Sequence, residues 1–483
     1  MKNQNSFYIT TTLPYVNAEP HVGFAMEIIR ADVVARYKKL QGFDVFFNTG
    51  TDEHGQKLFT AAEKEGKDVQ KYVDEYAEKF KGLINLLGIS NDINFIRTTD
   101  EHHVKAAQEF WKRCLNNGYI YKKTYQSKYC VGCELNKTDS ELDDKGQCPI
   151  HPGKDLELID EENYFFKFSA FQKPLLDFYE KNQNFVIPDF RFHEIKSFVS
   201  MGLEDFSISR LKSKMSWGVP VPDDDNHVMY VWFDALVNYI STLGWPENNE
   251  NFEKFWVNGN PTQYCGKDNL RQQSAMWQAM LMAADLPNSK QIIINGFLTG
   301  DGGIKMSKSI GNVVNPYDVV AEYGTDSLRF FLLSEVSSFE DSPFTMERFK
   351  ESYNSKLANG LGNLTSRIMT MAVNYDVKLP EEFLSMTYFS EKNNEIESFD
   401  ISKYINNVWI NIKHLDEYIQ KEEPFKKIKV NEIEAKENIK YLLHHLYGVA
   451  LSLEPSLPET SKKIQELIKE NKKPEQPLFL RKD

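Results

Sequence analysis

The chain has 483 residues, 41% of them apolar, with 33 Phe and 23 Tyr, enough for two to four domains with sizeable cores. A formal net charge of −13 works against binding a polyanion with the surface as a whole, although local clusters of Lys and Arg still permit it. No apolar run is long enough to span a bilayer, Met1-Lys2-Asn3-Gln4-Asn5 does not open a signal peptide, and five cysteines without extracellular context argue against a disulfide scaffold. The expected location is the cytoplasm.

Phe7 to Thr12 is rich in aromatic and β-branched residues, which predicts a strand. From Phe24 to Leu40 apolar residues recur at helical spacing, predicting a helix that Gly42 stops. Pro20-His21-Val22-Gly23-Phe24 then places His21 and Gly23 at the helix start. Free backbone N–H groups and partial positive charge make that a natural anion site. Gly23 removes a Cβ where a nucleotide would press against the backbone. Taken alone, His21 reads more readily as a cap or surface residue than as a catalytic one. Val45 to Gly55 reads as a buried strand ending in a turn, Thr51-Asp52-Glu53-His54-Gly55. Asp52 therefore falls at the carboxyl end of a strand, where doubly wound sheets bind ligands. Its competing reading is an N-cap for a helix from Gln56 onward.

Between about Tyr119 and Asp225, Cys130-x2-Cys133 is followed after fourteen residues by Cys148-x2-His151. Three thiolates and one imidazole complete a tetrahedral Zn²⁺ shell with no open position, so the expected role is structural zinc. The alternative is a group of buried, unliganded cysteines. Cys114 and Cys265 fall outside the spacing and read as packing thiols.

Tyr230 to Tyr239 begins as an aromatic strand and turns helical; unaided, it reads as core. After the run Ile292-Ile293-Ile294 comes a Gly-rich stretch, Gly296 to Gly303, and then Lys305-Met306-Ser307-Lys308-Ser309. Two lysines three apart make a compact cationic clamp, suited to negative charge spreading from an attacked α-phosphate towards pyrophosphate. The alternative is a solvated loop. From about Phe344 the pattern is helical. Asn359, Asn363 and Arg367 are spaced four apart, on one expected helix face. Two amides and a guanidinium suit base edges in an unstacked loop, or the glycines among them mark close helix packing.

With His21-Val22-Gly23 after the first strand and Lys305 to Ser309 after the last, the chain resembles a class I aminoacyl-tRNA synthetase, whose signatures are a HIGH tetrapeptide and a KMSKS loop. The second is matched in full. At the first, Phe24 replaces the final histidine. Leu13-Pro14-Tyr15-Val16-Asn17, the Asp52 turn, the Trp232 segment and the single-zinc pattern resemble methionyl-tRNA synthetases in particular. About a hundred residues lie in the middle segment, too few for the editing insertion of the leucine, isoleucine and valine relatives.

The resemblance implies an α/β fold. A Rossmann-type doubly wound parallel sheet (1–118 and 226–296) would be split by a zinc-binding connective domain (119–225), then followed by a KMSKS-bearing linker (297–343) and an all-α anticodon-binding helix bundle (344–483). It implies methionine activation with ATP and transfer of the methionyl group to initiator and elongator tRNA(Met), with Mg²⁺ on the phosphates. His21, Lys305 and Lys308 would stabilise the reacting phosphates. Asn17, Gly23, Lys267 and Asp268 would join them around ATP. Leu13, Tyr15, Asp52, Trp232, Ala235 and Tyr239 would hold methionine, Asp52 through the α-ammonium. Gln273 stands where the family places a histidine, and would still donate to the sulfur. Arg210 would brace Asp52. Asn359, Asn363, Arg367 and Phe425, the last where relatives often have tryptophan, would contact the anticodon. The expected state is a monomer. The competing functions are a catalytically silent tRNA-binding paralogue, for which Phe24 and Gln273 speak, and activation of another amino acid such as cysteine. A cysteine-activating site would want a metal in its pocket, and the paired cysteines sit elsewhere.

Overall fold

The computed structural model describes residues 5–17, 19–130, 135–137, 142–143, 145–149, 156–304, 306, 313–385 and 393–482. The strands β1 (Ser6–Thr10), β2 (Asp44–Thr51) and β3 (Asn94–Arg97) come first, separated by helices. The chain then leaves through β4 (Ile120–Cys130), β5 (Leu135–Lys137) and β6 (Glu157–Phe166), and returns with β7 (Val186–Ile187). It leaves again through β8 (Phe206–Ser207), β9 (Ser209–Leu211) and β10 (His227–Met229) before β11 (Asn260–Gly266) and β12 (Gln291–Asn295). The central sheet runs β3-β2-β1-β11-β12-β7, every neighbouring pair parallel. Strand order reverses between β1 and β11, which opens a crevice at their carboxyl ends.

A parallel sheet is covered on both faces, so its strands read as continuous apolar runs. All of Ser6 to Thr10 and Ile292 to Asn295 are buried accordingly. One face packs on α1 (Val22–Leu40) and the C-terminal helices, the other on the segment around Trp111, Trp256 and Trp277. α1 is buried almost all round, including Glu27, Arg30, Asp32 and Lys38. Arg329 pairs with Asp32 at 2.8 Å with both side chains fully buried. Burial pushes the Asp32 carboxyl up, but Arg329 and Arg36 outweigh it and hold it below its ordinary range. Arg30 donates to Asn295 Oδ1 and to the carbonyls of Val336, Ser337 and Ser338, which bolts the linker onto the sheet.

The inserted layer is a four-stranded sheet in the order β5-β4-β6-β8, built on a long β4–β6 pairing from Ile120↔Phe166 to Tyr129↔Glu157. The stretch 119–225, expected as one connective domain, contributes more than this layer. Its β7 pairs with β12 at the edge of the main sheet, and Tyr179 donates to the Ser274 carbonyl at 2.6 Å. Beyond β12, a short pair β13 (Leu298–Thr299) and β14 (Ser342–Pro343) flanks the linker. The rest is helical, with Asn363–Asn374, Ile401–Glu422, Glu432–Leu453 and Pro458–Glu470 packed as a bundle. Among the described residues no helix is long and apolar enough to cross a membrane.

Candidate active site

At the crevice, β1 ends at Thr10 and the next residues turn to line it. Thr12 N–H donates to Glu27 Oε1 at 2.8 Å, which ties the strand end to α1. Burial pushes the Glu27 carboxyl up to about 8. Sequence reasoning missed Glu27 because an acid on an apolar helix stripe carries no motif.

His21 is the N-cap of α1: its Nδ1 accepts the Gly23 N–H at 3.0 Å. A neutral ring accepting at Nδ1 carries its proton on Nε2, so the cap also prepares a donor on the exposed side. The two readings of His21 are therefore compatible. A Cβ at Gly23 would lie 2.8 Å from His21 Cε1, so the glycine makes room for the histidine ring. Phe24 packs edge-on against Phe80 at 5.4 Å. Lys305 and Lys308 lie outside the described residues, but Met306 packs on the core, and Val22 N–H donates to the Val314 carbonyl at 3.2 Å. The described residues that follow the lysine segment thus meet the start of α1.

Lys267 and Asp268 follow β11. Lys267 pairs with Asp341 of the linker at 2.7 Å and lies over the Phe297 ring. Burial acts upward on Asp341, but Lys267 and the Phe297 N–H hold its carboxyl below the ordinary range. Asp268 is exposed, as is Asn17.

Asp52 and Tyr15 lie side by side in an isolated parallel bridge, with Asp52 N–H donating to the Pro14 carbonyl at 2.9 Å. Asp52 is buried, and burial followed by the nearby Asp234 carboxyl raises it well above the usual carboxylate range. It does not cap the next helix, whose N-cap is Gly55. Nor does Arg210 brace it: Arg210 donates to Ser207 Oγ and the Ser209 carbonyl and stacks on Tyr230. The neighbouring Glu53 points away, where Arg97 grips both its oxygens at 2.7 and 2.8 Å. Alternation along an extended segment sends one acid to the crevice and the other to the frame.

Trp232 faces Tyr15 edge-on at 6.5 Å, and Leu13, Ala235 and Tyr239 are buried. Gln273 sits in a π-helical turn, Gln272–Met276, and donates to Tyr239 Oη. Its Oε1 accepts from Gln263 Nε2, and Tyr239 takes one of the two N–H groups, so the second N–H is the one left for the donation expected of Gln273. Asp234 was also missed. It is fully buried, 3.0 Å from His54 Nδ1, and burial raises its carboxyl. A single acid inside the aromatic run Tyr230–Tyr239 carries no motif by which sequence could single it out.

Of the zinc set, Cys130 stands opposite Leu135 at the end of β4, and Cys148 is fully buried. Asp143 Oδ1 accepts the N–H groups of Lys145 and Gln147, a tight turn that delivers Cys148. Cys133 and His151 lie outside the described residues. A strand end and a tight turn fit the two-ligand knuckles that a tetrahedral S₃N shell requires. Cys114 and Cys265 are buried, as packing thiols should be.

Asn359 falls in a π-helical stretch, Tyr353–Gly362, so only Asn363 and Arg367 share a regular helical turn. Asn359 and Asn363 are exposed. Arg367 is held by Asp416 of the neighbouring helix, which also accepts from Gln420 at 2.6 Å. Phe425 is exposed, with Lys426 above its ring.

The model of the family described as tRNA synthetases class I (M) matches residues 7–157 and 150–369. A methionine–tRNA ligase of Thermotoga maritima is 40% identical over 484 residues, covering 97% of this chain and 76% of that protein. One from Rickettsia felis is 39% identical over 491 residues, covering 99% and 94%. A Mycobacterium tuberculosis methionyl-tRNA synthetase solved in complex with methionyl-adenylate superposes with a TM-score of 0.85 at 34% identity, covering 96% of this chain and 94% of that one. On these grounds the chain belongs to the methionyl-tRNA synthetases, within the class I tRNA synthetases.

Proposed function

We propose that this chain is a methionine–tRNA ligase that activates L-methionine with ATP and transfers the methionyl group to the 3′ end of tRNA(Met), initiator and elongator alike. The observation that carries the reading is the crevice itself. Asp52 is buried just past the carboxyl end of β2, and a helix N-terminus capped by His21 follows β1. An ammonium-bearing substrate and a polyphosphate would be held within reach of each other there.

The methionine carboxylate attacks the α-phosphorus, the bond to the bridging oxygen of pyrophosphate breaks, and methionyl-adenylate forms. No enzyme nucleophile is needed, so catalysis is positioning and charge stabilisation. Asp52 binds the α-ammonium. Leu13, Tyr15, Trp232, Ala235 and Tyr239 enclose the side chain, where a polarizable thioether packs well on aromatic faces. His21 Nε2–H, Lys305 and Lys308 meet the α-phosphate and the departing pyrophosphate, with Asn17, Lys267 and Asp268 placing the nucleotide. Mg²⁺ would supply further neutralisation of the phosphates.

Cys130, Cys133, Cys148 and His151 would hold one structural Zn²⁺. Asn359, Asn363, Arg367 and Phe425 would contact the anticodon, in a chain acting as a cytoplasmic monomer. The division into catalytic halves, connective layer, linker and bundle follows the boundaries given above, except that β7 belongs to the catalytic sheet. The test is ATP–pyrophosphate exchange across a panel of amino acids. Methionine alone should support it at micromolar to millimolar concentration, and no exchange with any amino acid would favour a silent tRNA-binding protein.

A further inference from the structure

Two buried carboxylates stand together past the end of β2, and among the described residues one imidazole serves them both. Asp52 forms no ion pair there and accepts the His54 N–H at 3.4 Å. Asp234, on the short helix Val231–Ala235, is fully buried, and its one ion-pair partner among the described residues is His54, with Nδ1 3.0 Å from Oδ2. The acids act on each other: burial and then Asp234 raise Asp52, while His54 opposes the upward effect of burial on Asp234. No neighbour supplies a second cation. Burial, then Asp52, Tyr230 and Asp234, pushes the Tyr15 phenol up, so it stays neutral. Glu53 is committed to Arg97, and Arg210 to Ser207, Ser209 and the Tyr230 ring. His103 Nδ1 meets Ser241 Oγ at 2.9 Å, and burial pushes that imidazole down to about 3, while His102 beside it is exposed. The Trp217 ring lies 5.7 Å from that of His54 and helps to shut out water.

We propose that His54 and Asp234 share one proton as a neutral pair, which leaves Asp52 as the single negative charge offered to the substrate's α-ammonium. The inference rests on the reading of Asp52 as the ammonium site. A buried charge is paired or neutralised. Two carboxylates, one imidazole and one proton carry one net negative charge, which one ammonium cancels. Without the imidazole, two acids side by side would hold a proton between them at neutral pH, because like charges at close range resist joint ionisation. The ammonium would then meet a half-protonated pair. His54 and Asp234 are positioning residues: both act by setting the pH above which Asp52 is ionised.

The experiment follows kcat/KM for methionine in ATP–pyrophosphate exchange from about pH 5.5 to about pH 9. His54→Gln keeps a hydrogen-bonding side chain but cannot carry the proton. In H54Q the acid limb of the profile should move up by about one pH unit or more. Near neutral pH the methionine KM should rise by about tenfold with the ATP KM unchanged, and the loss should fade as pH rises. That recovery at high pH reports a folded site. Asp234→Asn removes the second acid, so H54Q/D234N should bring the limb back to its wild-type position, and D234N alone should not raise it. An unmoved limb in H54Q, or a loss equal at every pH that D234N does not rescue, overturns the shared proton. Should H54Q fail to fold, a folded H54Q/D234N supports the pair, and failure of both overturns it in favour of packing. A wild-type protein that supports exchange with no amino acid would overturn the functional reading instead.

Discussion

The Val22 N–H donates to the Val314 carbonyl at 3.2 Å, so the first turn of α1 and the residues after the lysine segment share a hydrogen bond. The same turn carries the His21 cap and the close Gly23–His21 contact. Two segments almost three hundred residues apart are thus joined where the phosphates are proposed to lie. A change at the helix start is expected to reach the lysine segment without touching it.

Gly23→Ala is the sharpest test of that joint. A methyl group 2.8 Å from Cε1 displaces the His21 ring, losing the cap and the direction of Nε2–H. Loss of an N-cap costs about 0.5–2 kcal/mol, partly offset by the better helix propensity of alanine. Thermal stability should therefore change little. Exchange should fall by about tenfold or more through kcat and the ATP KM, as expected for lost stabilisation of phosphate charge. A methionine Kd shifted as much as the ATP KM would show that the effect is not local to the phosphates.

Asp52→Asn should separate stability from function. The Asp52 carboxyl is raised well above its ordinary 3.8, with burial the largest cause and Asp234 the next. A raised acid favours the folded state while protonated, so its contribution is present at low pH and lost as pH rises through the folded value. At neutral pH an asparagine, which has no charge to bury, should raise the melting temperature relative to wild type. The same variant should raise the methionine KM by about a hundredfold, since a buried charge-assisted contact is lost. A lower melting temperature at pH 7.5 would contradict the assigned strain.

Much of this site was legible in sequence. His21, Asp52 and the Trp232 segment occur in local strings whose chemistry depends on few neighbours. Strand β1, helix α1 and the carboxyl-end position of Asp52 followed from periodicity and punctuation alone. What escaped was long-range. Glu27 and Asp234 acquire meaning only when distant elements meet, and Arg210 turned to nearby carbonyl and hydroxyl oxygens that spacing cannot reveal. The edge strand β7 is two residues long, below the length at which an alternating pattern can be seen.

The zinc set makes a separate expectation. If Cys130, Cys133, Cys148 and His151 close one tetrahedral shell, the purified protein carries one zinc per chain by elemental analysis. Chelation or Cys148→Ser should then lower the melting temperature by at least about 4 °C, because metal binding is folding free energy for such a layer. Methionine-dependent exchange should weaken less than the melting temperature suggests, since the ion has no open position for chemistry. Zinc-free protein with an unchanged melting temperature would return the cysteines to a packing role.

Glu27 gives a pH signature without touching the substrate. Its carboxyl sits at about 8, raised chiefly by burial and lowered in part by the Thr12 N–H it accepts. Its unfolded value is the ordinary 4.5. Below 4.5 both states are protonated and the group is neutral in effect. Between 4.5 and 8 the folded state holds a proton that the unfolded state has released, so stability declines as pH rises, then levels off above 8. Glu27→Gln keeps the acceptor for Thr12 and removes the titration. Relative to wild type, the variant should therefore gain stability from pH 5 to pH 8, on the order of a few kcal/mol by urea unfolding. Parallel pH profiles of the two proteins would mean that Glu27 is hydrated and ionised, and that the strand end at Thr12 is held by something other than this carboxyl.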